Sequence, residues 1–155
     1  LVHLVKLDQV MIVKNFNPKQ ISGIADLRRK DVTFINRQIG SGTRILLDYK
    51  LSQLDTKAAD IDGYQNEEFT HMAVAVSVLS GAADAGLGIY AAAKALDLDF
   101  IPVVTEQYDL VVLPEFFETD AFQILFKIIS SRDFKQRVQA LGGYGTEKTG
   151  KIIDV

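Results

Sequence analysis

Cysteine is absent from the sequence, which removes disulfides, thiolate metal sites and a cysteine nucleophile. The same absence is consistent with a reducing compartment, and a cytoplasmic location is the expectation. Only two histidines occur, His3 and His71, so no cluster with metal-ligand spacing is present and no metal site is expected. No apolar run approaches the roughly 20 residues that a membrane-spanning helix needs. The net charge is −3, and no Lys/Arg cluster interleaves with aromatics, so neither a membrane nor a nucleic acid is expected as a direct partner. Several chemical signatures are missing too. The stretch Gly40-Ser41-Gly42 is no Walker loop, because no Lys follows its second glycine and the spacing does not fit, and no GxGxxG follows a strand pattern. Gly40-Ser41-Gly42 lacks the spacing of a GxSxG nucleophile elbow.

What is present suits a soluble globular chain. Its 155 residues, 48% hydrophobic and 24% charged, make one ordinary domain or two small lobes that share strands. The organising stretch is Asn36-Arg37-Gln38-Ile39-Gly40-Ser41-Gly42-Thr43-Arg44, between the apolar run Val32–Ile35 and the helical pattern that begins at Ile45. Strand, glycine-bearing turn and helix start follow one another, with Ser41 or Thr43 available to cap. A helix start leaves backbone N–H groups unpaired at an electropositive end. It is therefore either an ordinary cap or the seat of a small oxyanion.

In chain order, Leu1–Val13 reads as strand, with His3 a strand residue. Leu1 is not Met and the chain opens inside a strand pattern, so a truncated or processed piece of something longer is expected. Pro18 marks a break, and a short helical turn near Ile21–Leu27 precedes the strand at Val32–Ile35. A helix is predicted from about Thr43 to Leu54, then a polar loop from Asp55 to Asn66 in which Tyr64 packs locally. Thr70 and Gly81 bracket a nearly all-apolar helix as N-cap and C-cap, and His71 falls in its first turn, as a ligand donor or as a capping or surface residue. The small residues of Ala82–Tyr90 read as a strand whose backbone something approaches closely. A helix over Ala91–Leu96, two strands at Asp99–Val104 and Tyr108–Pro114, and amphipathic helices at Asp120–Ser130 and Arg132–Leu141 follow. Residues after Tyr144 read as a frayed tail. Strands alternating with helices predict an α/β fold with a largely parallel sheet, whose ligands bind at the carboxyl ends of strands.

Several segments together resemble a known family. These are Ile21-x-Gly23-Ile24-x-Asp26-Leu27, Phe34–Arg37 with Gly40–Arg44, Thr70-His71-x-Ala73-Val74-Ala75, Gly81-x-Ala83 continuing to Tyr90, and the closing Phe134–Tyr144. The pattern is similar to the type 2 periplasmic-binding-protein fold, and within it to the PBP-like, molybdate/tungstate-binding-like domain fused to MoeA-type molybdopterin-biosynthesis enzymes or winged-helix regulators. The resemblance implies one complete lobe, residues 15–103. Residues 1–14 and 104–155 would be crossover strands and C-terminal helices of an incomplete first lobe, with an apolar face on the closing helices that recruits a partner or a second copy of the chain.

By the same resemblance the chain is a non-catalytic small-ligand-binding domain without a cofactor. It would hold molybdate or tungstate in an interlobe cleft, for sensing or for molybdenum-cofactor biosynthesis, with any activity residing in a fused domain. The implied donors are Ser41, Gly42, Thr43, Thr70, His71 and Tyr90. Arg44 either joins them or pairs with Asp48 on its own helix, and Arg37 is similarly placed. The alternative is an organic-acid effector-sensing domain of the LysR-type kind, in which Arg44 or Arg37 clamps a carboxylate near Tyr64, Phe69 or Met72. An enzyme built on Ser41, His71 and Asp84 would need those residues to converge.

Overall fold

The computed structural model describes residues 1–153 and divides the chain into two compact units. One is Gln9–Val104; the other is Leu1–Asp8 together with the chain from Thr105 onward. The elements in order are β1 (Val2–Val13), β2 (Phe34–Arg37), α1 (Gly42–Gln53), β3 (Glu67–Glu68), α2 (His71–Ser80), β4 (Ala85–Ile89), α3 (Tyr90–Ala95), β5 (Asp99–Leu110), α4 (Pro114–Phe117), α5 (Asp120–Ser130), α6 (Arg132–Leu141) and β6 (Tyr144–Gly145). Short 3-10 turns at Ile24–Arg28 and Ala58–Asp60 precede β2 and β3. The fold is mixed α/β, with strand order β3-β2-β4-β1-β5 and β6 paired to β1.

Within Gln9–Val104 the period-two alternation of each strand decides the layering. Met11, Val13, Phe34, Ala85 and Leu87 share one core with Leu47 and Leu51 of α1. Val10, Ile12 and Ile35 share the other with Val74, Ala75 and Val78 of α2 and Ala92 and Ala93 of α3. Helices thus cover both faces of the sheet, which is why these strands read as nearly continuous apolar runs. Phe34 and Leu47 are fully buried, and burial of each such side chain contributes about 1.5–3 kcal/mol.

The glycines of β4 show what the close approach is. A Cβ at Gly86 would lie 2.5 Å from Val74 Cγ1 and 2.7 Å from Ile35 Cγ2, so α2 packs directly onto the backbone there. Strand directions then set the functional edge. β2 runs parallel to β4 (Phe34 opposite Ala85) and to β3 (Asn36 opposite Glu67), whereas β1 runs antiparallel to β4 from Gln9 opposite Ile89 to Val13 opposite Ala85.

In the other unit Thr119 and Ser131 cap α5 and α6 by accepting from Phe122 N at 3.3 Å and Phe134 N at 3.2 Å. Phe117, Phe122 and Phe126 pack ring against ring, while Phe116, Ile124, Ile128 and Leu141 are exposed.

Three segments differ from the sequence-based expectation. The two strands expected at Asp99–Val104 and Tyr108–Pro114 are one, β5, ending at Leu110. It lies at the end of the sheet order, where backbone pairing on one side tolerates Pro102 and the polar Thr105-Glu106-Gln107. Glu67-Glu68, between the expected loop and the expected helix, forms the short strand β3. The chain after Tyr144, expected to fray, is tied down instead: β6 pairs with Lys6 and Leu7, and Thr149 Oγ1 donates to the Leu4 carbonyl at 2.6 Å. Residues 154 and 155 lie outside the described part.

One turn residue supplies a stability test. Gly63 sits at φ +84°, and a Cβ there would lie 2.1 Å from the Phe34 carbonyl oxygen. Gly63→Ala combines left-handed strain with a backbone clash and is expected to lower unfolding free energy by at least about 2 kcal/mol. Gly40→Ala, at φ +86° but with nothing within 4 Å, is expected to cost only about 1–2 kcal/mol. Urea unfolding of the two variants side by side checks the difference.

Candidate functional site

Because β2, β3 and β4 are parallel, their carboxyl ends share one edge of the Gln9–Val104 unit, and each leads into a helix. β2 turns through Gln38–Ser41 into α1, β3 passes through Phe69-Thr70 into α2, and β4 runs directly into α3. The sequence-derived residues fall on these junctions: Ser41, Gly42 and Thr43 at the start of α1, Thr70 and His71 at the start of α2, and Tyr90 as the first residue of α3. Ser41 Oγ accepts from Arg44 N at 3.2 Å and Thr70 Oγ1 from Ala73 N at 3.0 Å, so both hydroxyls are true caps. Capping uses the oxygen as acceptor and leaves each hydroxyl proton able to donate. The N–H groups of Gly42 and Thr43, and of His71 and Met72, are the first-turn donors that a helix cannot satisfy internally.

The individual side chains take different parts. Thr43 is buried, and its hydroxyl faces the sheet, exchanging hydrogen bonds with Gln9 at 3.1 and 3.3 Å. It offers its backbone amide, not its side chain, to the edge. Tyr90 packs edge-on against Phe100, with ring centroids 4.6 Å apart. Arg44 does not pair with Asp48, whose carboxylate instead accepts from the Tyr64 hydroxyl at 2.5 Å. The Arg44 guanidinium is buried, bonded to Glu67 Oε1 and to the Arg37 carbonyl (3.2 Å), with its carbon 4.8 Å from the centre of the Tyr64 ring. It neutralises Glu67, a carboxylate that would otherwise repel an anion at this edge.

Arg37, the last residue of β2, reaches across to the start of α2. It donates to the Phe69 carbonyl at 3.2 Å, and its Nη1 lies 2.9 Å from His71 Nδ1 and 3.1 Å from Nε2. The His71 ring in turn lies over Gly88 of β4. Burial, reinforced by the Arg37 charge, pushes its pKa down from 6.5 to about 4. His71 is therefore neutral at pH 7 and takes the Arg37 donor on an unprotonated nitrogen.

No Ser-His-Asp set forms. Asp84 Oδ2 accepts from Thr33 N at 2.9 Å, ahead of β2, whereas Ser41 and His71 follow β2 and β3 at the opposite edge. The four residues of β2 alone separate the edges by about 13 Å at the usual strand rise. Among the described residues no group of three or more His, Cys, Asp or Glu side chains suits a metal ion. Gln9 escaped the sequence reading. Its only signal was a single polar side chain beside the apolar run Val10–Val13, and nothing local says that a helix start lies over it.

His71 yields a pH test. Between about pH 6.5 and pH 4 the unfolded chain binds a proton at this residue and the native chain does not, so native stability falls as pH drops through that window. His71→Gln keeps an acceptor for Arg37 without titrating. The stability gap between wild type and this variant, from urea melts at pH 7.5, 5.5 and 4.5, should shift in favour of the variant as pH decreases.

Comparison with known proteins places this geometry. Residues 1–130 match the PBP superfamily domain. The chain is 42% identical over 153 residues to the uncharacterized protein YvgK of Bacillus subtilis, covering 99% of this chain and 49% of that protein, so it spans about half the length of this relative. Among solved structures it superposes on a substrate-binding domain assigned to a molybdenum ABC transporter of Clostridium difficile, with TM-score 0.63, 20% identity and coverage of 92% of this chain and 65% of that one. It also superposes on a substrate-binding protein assigned to a phosphate ABC transporter of Clostridium perfringens, solved with bound phosphate, with TM-score 0.60, 13% identity and coverage of 93% and 70%. At these identities the structural likeness shows the fold alone. The fold, the helix starts gathered on one edge and the match over most of the chain agree: this chain belongs to the PBP superfamily.

Proposed function

We propose that this chain is a non-catalytic ligand-binding domain whose Gln9–Val104 unit takes a tetrahedral oxyanion, molybdate or tungstate, at the carboxyl edge of β2, β3 and β4. The observation that carries this is the arrangement of two capped helix starts, α1 and α2, on one edge with Arg37 between them. Unpaired first-turn amides, two hydroxyl donors and the positive ends of two helices favour a small dianion. They do so largely through neutral donors that need little reorganisation. The solved neighbours contribute the fold; their descriptions name molybdenum in one case and bound phosphate in the other, both consistent with an anion of this class.

Arg37 favours a second reading, in which the anion is a small carboxylate. Its guanidinium stands at the same edge, close to the exposed Phe69 and Met72, and a carboxylate would bind by displacing Gln38, whose Oε1 accepts from Arg37 Nε at 3.1 Å. Arg44, committed to Glu67 and Tyr64, has no part in it.

Gly42 allows the amide contribution to be tested without removing the helix. It is the first residue of α1, and Ser41 before it has φ −72° and ψ 143°, a conformation that a following proline favours. Nothing lies within 4 Å of a Cβ built at Gly42. Gly42→Pro therefore deletes one N–H while preserving the cap. Titration calorimetry with molybdate, tungstate, sulfate, phosphate and acetate is expected to show binding of the tetrahedral dianions. The variant is expected to lose about 1.5–3 kcal/mol of that binding, roughly 10- to 150-fold in affinity. Unchanged molybdate and tungstate affinity in a folded Gly42→Pro protein would discard the seat, and preferential binding of acetate would favour the carboxylate reading.

A further inference from the structure

Gln9 is polar, 1% exposed and placed in the centre of the sheet. A buried amide costs stability unless its hydrogen bonds are met, so its partners say what it is for. Both ends of the amide meet the Thr43 hydroxyl: Nε2 donates to Thr43 Oγ1 at 3.1 Å, and Oε1 accepts from the same hydroxyl at 3.3 Å. Thr43 is the second residue of α1, and its own amide is one of the first-turn donors at the edge. Gln9 is also the residue of β1 opposite Ile89, the last residue of β4, after which α3 begins. It therefore underlies the start of α1 from the strand that closes the same edge.

We infer that Gln9 is the positioning residue for the anion seat: through Thr43 it holds the first turn of α1 against β1, and its neutral amide keeps the ground beneath that turn free of negative charge. The inference rests on the oxyanion reading given above and adds a specificity element to it. A carboxylate here would have the same shape and would still accept from Thr43. It would also set a negative charge directly behind the amides that receive the anion. A buried charge of the same sign within a few ångströms opposes a dianion far more strongly than a surface one. Asparagine or a hydrophobic residue would lose the reach or the hydrogen bonds without adding charge. Glutamine alone satisfies the hydroxyl in both directions and remains neutral at every physiological pH.

The test uses molybdate as the probe, by calorimetry at pH 8 and pH 6, on wild type, Gln9→Glu, Gln9→Met, Thr43→Val and the Gln9→Met/Thr43→Val double variant. Thermal melts and circular dichroism report the fold of each. Wild-type affinity is expected to be the same at both pH values, since His71 is neutral throughout that range. Gln9→Glu is expected to bind at least about tenfold more weakly at pH 8. The deficit should shrink at pH 6, because burial raises the pKa of the new carboxyl and protonation restores a neutral group. The loss counts where thermal melts show Gln9→Glu folded at both pH values, because a buried ionised carboxyl also destabilises the fold. If Gln9→Glu fails to fold, the neutral variants carry the test: the double variant should lose less affinity than the sum of the two single losses, because both remove the Gln9–Thr43 pair. A wild type that binds molybdate while folded Gln9→Glu binds equally well at both pH values overturns the inference alone, as does strict additivity of Gln9→Met and Thr43→Val. A wild type that binds none of the oxyanions removes the underlying reading and this inference with it.

Discussion

Parallel pairing of β2 with both β3 and β4 is the constraint on which the rest of the Gln9–Val104 unit depends. Parallel neighbours cannot be joined by a tight turn, so each strand must be followed by a crossover, here a helix. The helices have to cover the two apolar faces that strand alternation creates, and they do so with α1 on one and α2 and α3 on the other. Once direction and coverage are set, three helix starts arrive at one edge regardless of what the site binds. The site uses a feature that the fold cannot avoid making.

The polar groups at that edge are organised so that this exposed end is orderly. Arg44 joins the carbonyl of Arg37 to the carboxylate of Glu67, tying the end of β2 to β3, while Arg37 ties the same end to Phe69 and His71 at the start of α2. Gln9 and Thr43 tie β1 to α1. Each buried polar group is matched by another from a different element, so the linkages specify the relative placement of strands and helix starts in a way that apolar packing alone would not. The histidine is part of this lattice. Held neutral by burial and by the neighbouring guanidinium, it accepts a hydrogen bond and adds no charge of its own at neutral pH.

The unit formed by Leu1–Asp8 and the chain from Thr105 has a different balance. Its helices α5 and α6 are well capped and its aromatic rings cluster, yet Phe116, Ile124, Ile128 and Leu141 stand exposed. His3, buried in β1, pairs with Asp109 at 2.5 Å and is flanked by the backbone of Gly150 and Lys151. These contacts, with β6 and Thr149, convert a segment that reads as a polar tail into an ordered edge of the unit.

The physical basis of what was legible is local. Capping residues, the apolar spacing of α1 and α2, the extents of α5 and α6, and the small residues of β4 are properties of short windows, because a cap, a period or a close approach is decided within a few residues. On those grounds the α/β class and the helix starts at Ser41 and Thr70 could be read from the sequence by itself. The tertiary structure alone decided everything that depends on partners distant in the chain. It joined two apparent strands into β5, since an edge ladder is held by backbone bonds and not by apolar side chains. It ordered the tail through pairing with residues more than a hundred positions earlier. It turned Thr43 inward to Gln9 and gave Arg44 to Glu67 and Tyr64 in preference to Asp48. A side chain's hydrogen-bond partner is set by which elements the fold lays side by side, and sequence spacing carries no record of that.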